Sequence, residues 1–297
     1  TTCMVGRVGC DGTVAYTRDV KTQFGKVGKL SAADVELAHA AAQCVVETHR
    51  RLSAWLEPGQ TLAQIDAFVA QTLASLKCAS CFLGYRVPRS PAFPSHACLS
   101  VNDCVVHGTA ASLLRPMQRG DLLKVDIGVR FKGWIGDAAW TYSFGEPEQT
   151  VRRLMDCGKE GLRRGIATIR PENVWMEWAR ELQGYVEGTC GFHLIRGLGG
   201  HGIGRSLHMG PFVSNTVPTY AGEWPDGLRR CEVGTIVAVE PMIAVGTGDT
   251  RQQGREWPIY TSDGSMSVHY EHDVLVTEEG PRVLTEGLEA LRDVIAS

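Results

Sequence analysis

The stretch KVDIGVRFKGWIGDAAWTY, residues 124–142, reads as two apolar strands joined by a glycine-containing turn, with one aspartate in each strand. Alternating apolar residues on either side of such a turn are the pattern of an antiparallel hairpin, here Asp121–Val129 and Gly133–Phe144 around Arg130–Gly133. Asp126 and Asp137 are eleven positions apart, and hairpin pairing offers them proximity. An unpaired charge buried in a strand costs several kcal/mol or shifts its pKa, so both acids call for compensation.

Working outward, the segment 97–106 supplies a further apolar strand upstream. Gly120 precedes Asp126 by six residues in GDLLKVD, and Gly234 precedes Glu240 by six in GTIVAVE. Glu271, in HYEHDV, occupies a later strand of its own half as Asp137 does, and His201 lies in the glycine frame GGHGIG. Ser31 and Asp34 form a capping box ahead of an apolar stripe running to Trp55, and Thr61 caps a second helix to about Lys77. After Gly145-Glu146-Pro147, helical patterning returns over 150–169 and 172–188. Strands and loops follow over 193–284, with a short closing helix after Thr285. The order helix, helix, strands therefore occurs twice. The expected fold is α+β: an extended arm over 1–30, then one catalytic domain over 31–297. Its duplicated halves, 31–146 and 147–297, are related by a pseudo-two-fold about a central antiparallel sheet on which the carboxylates converge.

Asp126, Asp137, Glu240, Glu271 and His201 make an oxygen-rich donor set with one nitrogen. Such a set suits a pair of hard to borderline divalent cations such as manganese, iron or cobalt. Four converging carboxylates repel one another by about 4 kcal/mol per pair at 4 Å under an effective dielectric near 20. Two cations roughly 3.5–4 Å apart neutralise that charge and clamp a hydroxide between them. His107 and His208 have no ligand partner four residues on, which points to contacts with substrate and transition state. His96, His193 and His269 read as surface or packing histidines, and His272, beside Glu271, as a hydrogen-bonding support for a ligand.

Composition excludes several other classes. Of 297 residues 43% are apolar and 21% charged, with net charge −3, so neither nucleic acid nor a membrane surface is an expected partner. No run is long enough to span a bilayer, and residues 1–30 lack the apolar core of a signal peptide. Ten cysteines without a repeating spacing read as reduced thiols of a cytoplasmic protein, and Cys78 and Cys81 as buried thiols of a lone C-x-x-C. Thr1 and Thr2 lead the chain where an initiator methionine would stand, as in a processed or trimmed polypeptide.

The motifs NDCVVHG (102–108), KVDIGVRFKGWIGDAAWTY (124–142), GGHGIGRSLHMGP (199–211), IVAVEPMI (236–243) and HYEHDVLVTEEG (269–280) occur in one order and spacing. With them the chain resembles the methionine aminopeptidases, dinuclear metallopeptidases of pita-bread fold, from about Lys29 to Leu288. The resemblance implies that Asp126 chelates one metal, that His201 and Glu240 belong to the other, and that Asp137 and Glu271 bridge both. The two divalent ions would be cobalt, manganese, iron(II) or zinc. It gives Glu240 the role of base and proton shuttle, and His107 and His208 the substrate amide and the developing oxyanion. His201 and Glu240 are thirty-nine positions apart, without the long insertion of type II enzymes, and no zinc-binding extension leads the chain; both features resemble the bacterial type I form. The carried-over specificity pocket is Tyr85, Phe93, Cys98, Leu207 and Trp257, whose aromatic and sulfur walls suit a methionine side chain. Three departures stand out: Gly128 where many members have threonine, Leu207 where phenylalanine is common, and a long 86–92 segment. The implied partners are nascent polypeptide N-termini, met at the ribosome, and the enzyme is expected to be a monomer. The proline-specific aminopeptidases and dipeptidases of the same fold usually carry a large N-terminal domain, and only about thirty residues precede the first helix here.

Overall fold

The computed structural model describes residues 7–8, 14–15, 30–88 and 90–295. Of the arm expected over 1–30, the antiparallel pair Arg7–Val8 and Val14–Ala15 is described, and the remainder up to residue 29 lies outside the described residues.

Helix α1 (Ala32–Trp55) begins at the expected capping box: Ser31 Oγ accepts from the Asp34 amide at 3.1 Å, and Asp34 Oδ2 accepts from the Ser31 amide at 3.2 Å. Thr61 and Gln64 cap α2 (Leu62–Ser75) in the same way. The strand expected over 97–106 is two, β1 (Cys98–Val101) and β2 (Cys104–Val106), because Asn102 turns the chain with φ 55°. β3 (Leu122–Phe131) and β4 (Trp134–Phe144) form the hairpin. Its turn is tighter than expected, only Lys132 and Gly133, both with positive φ (48° and 83°). Two left-handed residues give the turn a twist that matches the strands it joins.

Helices α3 (Gln149–Ile166) and α4 (Met176–Gln183) open the second half. The helix expected from 172 loses its first turn because Val174 bridges to Arg230 and the Trp175 amide donates to Arg229 O at 3.1 Å. Its last part is π-helical, Gly184–Cys190. The strands that follow include β5 (Gly199–Gly202), β6 (Met209–Ser214), β7 (Ile236–Val239), β8 (Met242–Ala244), β9 (Ser267–His269), β10 (His272–Thr277), β11 (Gly280–Val283) and β12 (Val294–Ile295). The closing helix is one 3₁₀ turn, Leu288–Ala290, since the chain extends again to lay β12 parallel to β4.

Two five-stranded sheets form, the first from strands of the first half plus β12, the second from strands of the second half. In the first, β12, β4 and β3 follow in order, and β3 also pairs with Ala79–Ser80 and β1; in the second the order is β6-β5-β7-β10-β11. The repeat holds to the level of single hydrogen bonds. Gly120 (φ 89°) donates to Phe144 O at 2.8 Å, and Phe144 donates to Asp121 O at 2.9 Å. Gly234 (φ 88°) donates to Val276 O at 2.9 Å, and Val276 to Thr235 O at 2.9 Å. The two sheets meet side by side where the Glu271 amide donates to Ala139 O at 2.9 Å. Flanking that contact, the Asp137 amide donates to Asp273 Oδ2 (2.9 Å) and the His269 amide to Thr141 Oγ1 (3.1 Å), a reciprocal pair about a pseudo-two-fold axis.

Helices cover one face of this joined surface. α1 crosses β3 and β4 so closely that a Cβ on Gly136 would stand 2.6 Å from the Ala42 backbone. α3 crosses β8 and β9, and a Cβ on Gly158 would stand 2.6 Å from the Tyr270 ring. Successive strand residues point to opposite faces, so Asp137 and Glu271, next to Gly136 and Tyr270, project away from the helices.

Candidate active site and metal centre

Register decides which side chains meet. Gly128 lies opposite Asp137 and Asp126 opposite Ala139, so the two aspartates are diagonal neighbours on one face. Cys98 on β1 is opposite Asp126 on that same face. In the second sheet Ala238 is opposite Asp273 and also opposite His201, and continuing this register past the strand ends sets Glu240 against Glu271. β8 and β9 keep the same register, with Met242 opposite His269. One ligand atom each from Asp137, His201 and Glu271 lies within 4.8 Å of the others. Glu240 Oε1 is 3.9 Å from His201 Nε2, and the Glu240 carbonyl is fixed by Asn215 Nδ2 at 2.9 Å. Asp126 and Asp137 lie close enough to act on each other, and one oxygen of each, Oδ1, is buried without a hydrogen-bond partner. The structure thus brings together all five residues singled out in the sequence.

The electrostatics of this cluster demand a counter-charge. Burial, followed by the charge of Glu240, raises Asp126 to about 7. Burial and the neighbouring acids hold Asp137, Glu240 and Glu271 well above the usual carboxylate range. His201 Nδ1 faces Gly202 O at 3.1 Å, and with its proton on that nitrogen Nε2 keeps a lone pair toward the acids, as a metal-ligating imidazole requires. Unpartnered carboxylate oxygens and an oriented neutral imidazole on one buried face fit divalent cations.

Metal-free protein is expected to lose stability as pH rises through the raised values of the acid cluster. The folded cluster keeps protons that unfolded carboxylates, with ordinary values of 3.8 and 4.5, have shed, so the native state binds more protons and the slope of stability with pH is negative. Lys124, lowered by burial to about 7, acts in the opposite sense but is one group against several. Melting of chelated and cation-loaded protein across that range checks the sign: the gap between the two should widen with pH, and a constant gap refutes the account.

A line of rings leads from the acids into an apolar cluster. The His201 and His208 rings lie 4.5 Å apart, and His208 Nδ1 is 2.8 Å from Tyr85 Oη. Trp257 packs against Tyr85 (6.4 Å), Phe93 (5.3 Å) and His107 (6.1 Å). Its indole N–H donates to Pro91 O at 3.0 Å, which fastens the long 86–92 segment to this cluster. Leu207 and Cys98 belong to the same apolar cluster. Burial pushes His107 and His201 down to about 4 and His208 to about 2, so all three are neutral near pH 7.

Two histidines behave differently from their sequence reading, and strand parity explains both. His269, read as a packing or surface residue, shares the site face with Glu271 and Asp273; it is 2% exposed, and its Nε2 is 3.2 Å from Glu240 Oε2. His272 falls on the helix face, bonded to Thr285 Oγ1 (2.8 Å) and Glu289 Oε1 (2.9 Å), so it does not support a ligand. His96 pairs with Asp66, and His193 is exposed, as surface or packing histidines would be. Asp273, absent from the sequence reading, orients the Asp137 amide. Among the described residues every cysteine is a free thiol, and Cys78 meets Cys44 while Cys81 lies near Asp137, so the C-x-x-C is not one unit.

Phe82 was equally hidden. A Cβ at Gly128 would stand 2.6 Å from Phe82 Cε1 and 3.3 Å from Asp137 Oδ1, so the phenylalanine ring fills the room left by the glycine. Gly128→Thr is expected to cost about 1–3 kcal/mol by overpacking. Combined with Phe82→Ala, the loss should be smaller than the sum of the two single changes, as thermal denaturation of the four proteins would show; strict additivity refutes the steric account.

The comparisons with known proteins agree with this geometry. The profile of metallopeptidase family M24 matches residues 36–278. The chain is 32% identical over 254 residues to the methionine aminopeptidase of Aquifex aeolicus, covering 85% of this chain and 96% of the relative. It is 33% identical over 268 residues to methionine aminopeptidase 1 of Mycobacterium tuberculosis, covering 88% and 96%. The crystal structure of the Thermotoga maritima methionine aminopeptidase superposes with a TM-score of 0.77 at 30% identity, over 87% of this chain and 98% of that one. A pita-bread fold that gathers four acids and a histidine at the junction of its halves is thereby placed among known proteins: the chain belongs to metallopeptidase family M24, with methionine aminopeptidases among its relatives.

Proposed function

We propose that the chain is a metal-dependent aminopeptidase that removes the N-terminal methionine from polypeptides whose second residue is small. The observation that carries this reading is the continuity of the acid cluster with the aromatic cluster through His201, His208 and Tyr85. Asp126, Asp137, His201, Glu240 and Glu271 would hold two divalent cations, cobalt, manganese, iron(II) or zinc, with Asp137 and Glu271 serving both. When bound, the cations supply Lewis acidity and an activated water. Glu240, with Oε1 facing His201 and Oε2 facing His269, would serve as the group that takes up and returns a proton. His107 and His208 bind the scissile amide, and Tyr85, Phe93, Cys98, Leu207 and Trp257 seat the thioether side chain. Residues 31–297 form the catalytic unit, with halves 31–146 and 147–297. Its partners are nascent polypeptides, met in the cytoplasm and at the ribosome, and it acts as a monomer. Among the described residues no helix is long and apolar enough to cross a membrane.

A peptide panel varied at its first two positions tests the reading. Methionine should leave before Gly, Ala, Ser, Thr, Cys, Pro or Val and hardly before Lys, Leu or Phe. Exclusion of bulk at the second position is steric and steep, whereas one methylene in the first pocket changes the rate only ~10–200-fold. Equal cleavage of Met-Lys and Met-Ala peptides, or N-terminal leucine released as fast as methionine, would remove the proposal.

A further inference from the structure

We infer that His269 is a positioning residue for the Glu240 carboxylate, an inference that rests on the metallo-aminopeptidase reading. The pseudo-two-fold axis supplies the first argument. The Asp137 amide donates to Asp273 Oδ2, and the His269 amide donates to Thr141 Oγ1. Asp137 is opposite Gly128, two residues after Asp126, and His269 is opposite Met242, two residues after Glu240. His269 therefore stands to Glu240 in the second half as Asp137 stands to Asp126 in the first, a diagonal neighbour on the same face.

The side-chain geometry supplies the second. His269 Nε2 is buried and makes no hydrogen bond, yet it approaches Glu240 Oε2 to 3.2 Å and Glu271 Oε2 to 4.0 Å. The opposite oxygen, Glu240 Oε1, faces His201 Nε2. One carboxylate thus has an imidazole on each side, one from β5 and one from β9. The His269 backbone is held on both sides, since Thr141 Oγ1 also donates to its carbonyl at 2.7 Å, so the ring offers a fixed donor rather than a mobile one. A proton on Nε2 directed at Oε2 satisfies the buried nitrogen and fixes the plane of Glu240, leaving Oε1 to the cation and to proton transfer. Active-site hydrogen bonds commonly align only when the site is loaded, which accounts for the short but misdirected contact.

His269→Leu and His269→Gln separate this role from mere packing. Losing a partner of this kind typically costs 10–100-fold in activity or metal affinity. In His269→Leu we expect kcat to fall by that range with KM within about twofold. Titration with Co²⁺, followed by visible absorption, should give the wild-type number of ions with a shifted band. His269→Gln, which keeps a donor of similar reach, should restore most of kcat and the native band. Wild-type kcat together with a wild-type cobalt band in His269→Leu would overturn the inference. Loss of a whole equivalent of cobalt from both variants would also overturn it, because the imidazole would then be a ligand itself. If circular dichroism shows His269→Leu unfolded, His269→Asn decides: its shorter amide cannot reach Glu240, so it must show the defect that His269→Gln lacks, and equal behaviour of the two overturns the inference. The cobalt band is read without peptide. A band that shifts in His269→Leu while wild-type protein releases no methionine would sink the peptidase reading and leave His269 in its place.

Discussion

Chelation is expected to bring turnover to background, and readdition of cobalt, manganese or iron(II) to restore it. Burial and mutual charge hold the acids around Asp137, His201 and Glu271 well above their ordinary range, and on the proposed reading the activated water comes with the cations. Single substitutions should divide the site. Asp126→Ala, at the edge of the cluster, should lose chiefly one metal ion by elemental analysis. Asp137→Ala, whose ligand atom is within 4.8 Å of those of both His201 and Glu271, should impair both. The same change removes one charge from a self-repelling buried set, so chelated Asp137→Ala should melt above chelated wild type while being the poorer enzyme. Activity at wild-type level in a demonstrably metal-free sample would end the metal hypothesis. A chelated Asp137→Ala protein melting below chelated wild type would end the repulsion account.

Glu240→Gln should lower kcat by at least ~10²–10⁴, the usual worth of a positioned acid or base. The substitution is nearly isosteric, and the Asn215 bond to the residue-240 carbonyl does not depend on the side chain, so the backbone should stay in place. An amide retains one oxygen for ligation but cannot accept and return a proton. Metal content should therefore fall less than turnover does. Near-native kcat would show that the proton travels by another group.

Much of this site could be read from the chain because its acids break local rules. Asp126 and Asp137 interrupt apolar strands, Glu240 ends one, and the spacing from Gly120 recurs from Gly234 with the same backbone angle. His269 and Asp273 escaped because each looks ordinary in isolation. Counting by twos from Glu271 would have placed both on the site face and turned His272 away from it, a use of strand parity that the HYEHD motif permits. Phe82 left no trace in the sequence, since its place depends on a side chain that Gly128 does not have. The lost first turn of the 172–188 helix likewise depends on a remote partner, Arg230, which periodicity cannot see.

The pairing of β12 with β4 has a consequence for how the protein is made. Residues 294–295 close the edge of the first half's sheet, with Ser143 and Gly145 donating to Asp293 O and Ile295 O. During synthesis, then, β4 emerges with Asp137 and waits, one edge unpaired, for more than half of the chain to follow. An unprotected strand edge invites pairing with other chains. Neither Glu271 nor the closing strand exists while that edge is open, so a nascent first half can neither complete its sheet nor assemble the ligand set. Sealing of this sheet edge and assembly of the acid cluster must therefore both wait for late segments of the chain.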